Sequence, residues 1–96
     1  MIIYVDIDET ICFYPHERDY RNAVPSHENI KKINDFYDMG HRIVYWTARG
    51  SNSKIDWQDF TKSQLESWGA KHHELRCDKP YYDVFVEDRS IRIEQL

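Results

Sequence analysis

Apolar residues fall in short blocks separated by amphipathic stretches, and that alternation sets the expected fold. Met1-Ile2-Ile3-Tyr4-Val5 is apolar at every position and stops abruptly at Asp6. Such a run suits a strand covered on both faces, as in a parallel sheet. Arg42-Ile43-Val44-Tyr45-Trp46 repeats the pattern before Thr47, and Asp83-Val84-Phe85-Val86 repeats it before Glu87-Asp88. His73-Glu74-Leu75-Arg76 reads as a shorter, weaker strand. Between the first two strands, Ile30, Ile33, Phe36 and Tyr37 recur at helical spacing and form one stripe. Ser26 is placed to cap that helix and Gly40 to close it. A second helix is expected from a cap at Asp56, with Trp57, Phe60 or Thr61, Gln64 or Leu65, and Trp68 along one side and Gly69 at its end. The stretch from Glu9 to Pro25, interrupted by Pro15, reads as an irregular loop or a small hairpin.

Strands alternating with helices in this order predict an α/β domain with a mostly parallel sheet. The chain has 96 residues, which predicts a single domain over 1–96. A composition 41% hydrophobic and 15% aromatic excludes a disordered chain. The net charge of −4 argues against broad electrostatic binding to nucleic acid or to an anionic membrane. Two cysteines, Cys12 and Cys77, form no CxxC pair, so a reducing cytoplasm is the expected location. No apolar run approaches a membrane span, and the start of the chain lacks the marks of a signal peptide. Neither GxGxxG nor GxxxxGK[ST] occurs. His72, His73 and Cys77 lack the spacing of a zinc site.

In an open parallel sheet, ligands bind beyond the carboxyl ends of the strands. That rule gathers Asp6, Thr47 and Glu87-Asp88 on one edge. Asp6 and Asp8, two residues apart after a strand, can share a cleft. They offer hard oxygen ligands for Mg²⁺, a nucleophile for a phosphorus centre, and a proton donor or acceptor. Alone, such a triplet reads more readily as a solvated strand-end turn. Thr47-Ala48-Arg49-Gly50 offers a hydroxyl and backbone N–H groups to a phosphate. Arg49 could add a bidentate phosphate contact or lie on the surface. Lys79 can offset negative charge. Glu87 and Asp88, adjacent and mutually repelling, would be explained by a cation shared with Asp6 and Asp8. Each element has a plain alternative, but their order along the chain is difficult to attribute to chance.

The pattern Asp6-Ile7-Asp8-Glu9-Thr10, Thr47, Lys79, Glu87-Asp88 resembles that of haloacid dehalogenase (HAD) superfamily phosphatases. A closer resemblance is to the small capless phosphatases of capsular polysaccharide biosynthesis. Tyr45-Trp46-Thr47-Ala48-Arg49-Gly50, Leu65-Glu66-Ser67-Trp68-Gly69 and Lys79-Pro80-Tyr81-Tyr82-Asp83 carry it. The resemblance implies a small Rossmann-like three-layer sandwich with no cap domain. It implies Asp6 as nucleophile, Asp8 as general acid/base, Thr47 and Lys79 as catalytic groups on the phosphoryl, and Thr10, Ala48 and Arg49 beside it. It further implies Mg²⁺ held by Asp6, Asp8 and Asp88, with Glu87 standing where the family often has aspartate. The expected activity is hydrolysis of a sugar phosphate or another small phosphorylated metabolite through an aspartyl-phosphate. Tyr14, His16, Arg18, Tyr20 and Arg21, or a neighbouring subunit, would shape the open pocket. A nucleotide or polynucleotide 3′-phosphatase is the alternative within the class. A catalytically weak phosphate-binding or interaction domain is the alternative outside it.

Overall fold

The computed structural model describes residues 1–96. Strand β1 (Ile2–Val5) lies beside β4 (Arg42–Trp46), which lies beside β5 (Glu74–Arg76), and both pairings are parallel. A separate antiparallel pair, β2 (Cys12–Phe13) with β3 (Val24–Pro25), makes the small hairpin within the 9–25 stretch. Helix α1 (His27–Asp38) starts where the pattern predicts, with Ser26 Oγ accepting the Asn29 N–H at 3.2 Å. Helix α2 (Gln58–Ser67) starts later than expected, with Trp57 in the cap position. Asp56 still accepts the Gln58 N–H at 2.9 Å, so it makes the turn leading into the helix. No helix is long and apolar enough to cross a membrane.

The strand order β1-β4-β5 moves in one direction across the sheet. Right-handed crossovers then put α1 and α2 on the same face. Register pairs Ile3 with Ile43, and Val5 with Tyr45 and so with Leu75. These side chains pack with Ile30 and Ile33 of α1 and Leu65 of α2 into one core. Burying each large aliphatic side chain there contributes about 1.5–3 kcal/mol. The α/β class and its parallel sheet are as expected. At the alternate positions of these strands, Val44 is 1% exposed and Ile2, at the edge, 68% exposed.

One predicted strand is absent. Asp83–Val86 carries the expected apolar run but pairs with nothing, and residues 80–92 are all exposed. The chain returns only at Ile93, which is buried in the core and whose carbonyl accepts from Lys32 Nζ at 3.4 Å. Strand propensity does not by itself supply a neighbour.

Candidate active site

The turn after β1 is built on a core residue. Ile7 is fully buried, as is Ile11, so Asp6 and Asp8 on either side of Ile7 face the same cleft. The Ile7 carbonyl accepts from the Thr10 and Ile11 N–H groups at 3.1 and 3.0 Å. Glu9, between them, adopts a left-handed φ of 62°. The cleft, of about 560 Å³, lies beyond the carboxyl ends of β1 and β4 and includes Asp6, Asp8, Thr47, Arg49 and Lys79.

Asp6 Oδ1 accepts the Ile7 N–H at 2.9 Å and lies 3.8 Å from Lys79 Nζ. Its Oδ2 makes no such contact. Burial pushes the Asp6 carboxyl above its ordinary value; Lys79 and the Ile7 N–H offset this only in part. Lys79 is fixed from several sides. Its N–H donates to the Thr47 carbonyl at 3.2 Å, and its carbonyl accepts from Ser51 Oγ at 2.6 Å. Its ammonium sits 5.4 Å from the Trp46 ring centre and 5.3 Å from that of Tyr82. Such cation–π contacts hold the charge within the site.

Arg49 is not free to bind phosphate. It is 1% exposed, and its guanidinium donates to both Asp8 oxygens, from Nε at 3.1 Å and Nη2 at 2.8 Å. The other Nη donates to Thr61 Oγ1 and Gln64 Oε1, and the group lies 4.6 Å from the Tyr20 ring centre. Such a buried fork needs every donor satisfied, and facing Asp8 satisfies it best. Tyr14 O–H also donates to Asp8 Oδ1. Burial raises the Asp8 carboxyl, but the Arg49 hydrogen bonds, the Arg49 charge and the Tyr14 hydroxyl outweigh it, so Asp8 is held below its ordinary value. An ionised carboxylate has no proton to donate and can only accept one, as a weak base. Cys12 beside it is pushed up to about 12 by burial and by Asp8, so it remains a thiol.

The loop after β4 supplies backbone donors. Ala48 and Gly50 N–H have no partner within the chain, and both residues line the cleft. The Arg49 N–H is spent on Thr47 Oγ1 at 3.2 Å. Gly50 has φ 85°, and a Cβ there would meet the Ile55 carbonyl at 2.1 Å. Gly50→Ala is therefore expected to destabilise the fold by about 1–3 kcal/mol. Denaturant unfolding of the two proteins checks this.

Two expectations for the site are corrected. Thr10 lies outside the cleft, and its carbonyl instead accepts from Asn29 Nδ2 at 2.9 Å, anchoring α1. Glu87 and Asp88 do not join Asp6. Asp88 has an 84% exposed side chain facing Arg89, and Glu87 accepts the Arg89 N–H at 2.7 Å. They stay away because the strand that would deliver them has no neighbour. With Asp8 engaged by Arg49 and Tyr14, Asp6 is the one free carboxylate in the cleft among the four expected Mg²⁺ ligands, and Glu9 at the rim of the cleft faces Arg18 at 3.6 Å. That set does not fit an ion demanding near-octahedral oxygen coordination. Of the 9–25 loop, Glu9, Arg18 and Tyr20 reach the cleft. Asn52, Ser53 and Tyr82 line it as well, unforeseen from sequence; the signal was their nearness in the chain to Thr47 and Lys79.

No protein-family model matches the chain, and no curated protein matches it. A crystal structure of a structural-genomics target from Vibrio cholerae shares its fold, with a TM-score of 0.87 and 23% identity. The match covers 98% of this chain and 85% of that one. At this identity the likeness establishes the fold.

Proposed function

We propose that the protein is a phosphatase of the HAD type, which hydrolyses a small phosphate monoester through a phosphoryl group held on Asp6. The observation that carries this is Asp6 itself, with Oδ2 free while Oδ1 is held by the Ile7 N–H and faces Lys79. Oδ2 attacks phosphorus, the bond from phosphorus to the ester oxygen breaks, and the alcohol leaves as its oxygen takes up a proton from the solvent that fills the open cleft. Water then attacks phosphorus, its proton passes to Asp8, and the bond to Oδ2 breaks, releasing inorganic phosphate. Lys79 and the unpaired N–H groups of Ala48 and Gly50 face the charge on the transferring oxygens. Asp8 has the ionisation state for the second step. Mg²⁺ enters none of these steps, because only Asp6 of its four expected ligands keeps a free carboxylate in the cleft.

The polar, open cleft with Arg18, Asn52 and Tyr82 around it suits a sugar phosphate or a similar metabolite. The net charge of −4 weighs against a polynucleotide end. The protein is expected to release phosphate from an aryl phosphate, and from sugar phosphates ahead of 3′-phosphorylated oligonucleotides. Preference for the oligonucleotides would transfer the assignment to them. No release from any of these would favour a binding domain.

A further inference from the structure

We propose that Arg18 is the specificity-determining residue of the cleft and seats a carboxylate at the end of the substrate remote from the phosphoryl group. The substrate class is then a phosphate monoester of a small hydroxy acid or sugar acid. The inference deepens the phosphatase reading and rests on it for where the phosphoryl group sits.

The charged residues lining the cleft are three cations, Arg18, Arg49 and Lys79, and three acids, Asp6, Asp8 and Glu9. They are paired one to one. Arg49 holds Asp8 at 2.8 Å, Lys79 lies 3.8 Å from Asp6, and Arg18 lies 3.6 Å from Glu9. The first two pairs face the phosphoryl group, and the third has no part in its transfer. The Arg49 side chain is fully buried and that of Lys79 is 12% exposed, whereas those of Arg18 and Glu9 are 52% and 51% exposed. An ion pair so open to water holds weakly. At 3.6 Å it also falls outside hydrogen-bond range. Arg18 is thus the cation of the cleft that is free to change partners.

The local structure aims this pair at the cleft. The Arg18 guanidinium lies 5.9 Å from the ring centre of Tyr14, whose hydroxyl donates to Asp8. The side chain that steadies Asp8 therefore also steadies Arg18. Glu9 follows Asp8 directly, and its N–H donates to the Cys12 carbonyl at 2.9 Å. Its φ of 62° is left-handed, which glycine adopts without strain and a residue with a Cβ does not. Strain of this kind gathers at ligand sites. A glutamate at this position places a carboxylate in front of Arg18 at the mouth of the cleft. The free protein thus shows the seat occupied by a carboxylate of its own. A substrate carboxylate reaching the same guanidinium can accept two parallel N–H bonds, which Glu9 at 3.6 Å does not. Glu9, half exposed, then turns out into water.

Calorimetric titration with phosphonates tests it, because their carbon–phosphorus bond survives in the site and binding is read without turnover. Phosphonoacetate and its homologues longer by one and two methylenes are compared with alkyl phosphonates of matched length. The best-fitting carboxylated probe is expected to bind about tenfold more tightly than its uncarboxylated match, the effect of a charge-assisted hydrogen-bonded pair. Arg18→Met is expected to erase that preference. Glu9→Gln, which removes the resident charge, is expected to tighten binding of the carboxylated probe about threefold, as befits a weak exposed pair. Both substitutions fall on half-exposed side chains, and unchanged circular dichroism confirms that the variants fold. Equal affinity for the two series overturns the proposal. So does an Arg18→Met variant that loses both series alike, which would put Arg18 on the phosphoryl group. A Glu9→Gln variant that binds the carboxylated probe no more tightly than wild type overturns it as well. A carboxylate preference that Arg18→Met erases, in a protein that releases phosphate from no ester, upholds the seat and removes the phosphatase reading. Phosphate release without that preference does the reverse.

Discussion

Asp6→Asn is expected to abolish phosphate release, with a loss of at least about 10³-fold in kcat, because an amide oxygen cannot form the acyl-phosphate. The same substitution is expected to raise thermal stability at neutral pH. Burial holds the folded-state value of Asp6 above its ordinary 3.8. A carboxyl raised in this way favours folding while it is protonated, below about 3.8, and loses that contribution as pH rises through the raised value. At pH 7 the folded protein therefore carries a charge it holds at a disadvantage, and asparagine removes it. The gain should vanish at pH 3, where both forms are neutral. Calorimetric melts at the two pH values, beside an assay of phosphate release, check both halves. A variant that keeps its activity would remove Asp6 as nucleophile. One that is less stable than wild type at pH 7 would contradict the electrostatic account of its position.

Arg49→Met should have the largest effect on stability. Methionine fills comparable space but leaves Asp8, whose side chain is 9% exposed, as an uncompensated buried charge. Breaking a buried pair in this way costs about 3–5 kcal/mol. In a domain of this size each kcal/mol moves the melting midpoint by about 4–8 °C. The deficit should shrink as pH falls, because protonating Asp8 removes the isolated charge. In the intact protein the sign is opposite. There Asp8 is held below 3.8, so its contribution is present above that value and is lost as pH falls through the lowered one. Arg49→Met/Asp8→Asn should be more stable than Arg49→Met alone. Urea melts of the wild type, both single variants and the double variant complete the cycle. Additive losses would mean the two groups do not act as a pair.

The parts of the fold legible in the sequence are those specified locally. Ile2–Val5 and Arg42–Trp46 announce themselves through continuous β-branched runs, and α1 through its stripe and the Ser26 cap. The weak run ending in Arg76 forms a strand because β4 lies beside it, whereas the stronger run Asp83–Val86 has no such neighbour. Pairing is a property of two segments, and the sequence of one does not report it. The site divides along the same line. Asp6, Thr47 and Lys79 meet because each sits at or just beyond a strand end. The role of Arg49 was hidden. Whether a guanidinium faces solvent, phosphate or a buried carboxylate depends on Asp8, Thr61 and Gln64, which lie 41, 12 and 15 residues from it in the chain. Thr10 was misplaced for a related reason: in the turn after Asp8 its carbonyl, rather than its hydroxyl, finds a partner, on α1.

Ile7 lies fully buried between the two acids, with its carbonyl closing the turn that follows. Asp6 and Asp8 thus share a peptide with the hydrophobic core. Local opening of the turn would expose a core side chain, so the site and the core belong to one cooperative unit rather than to a stable scaffold and a separately melting loop. Any sequence change that loosens the packing around Ile7 then acts on the cleft and on folding together. The geometry of Asp6 is inherited from the core and is not adjustable on its own.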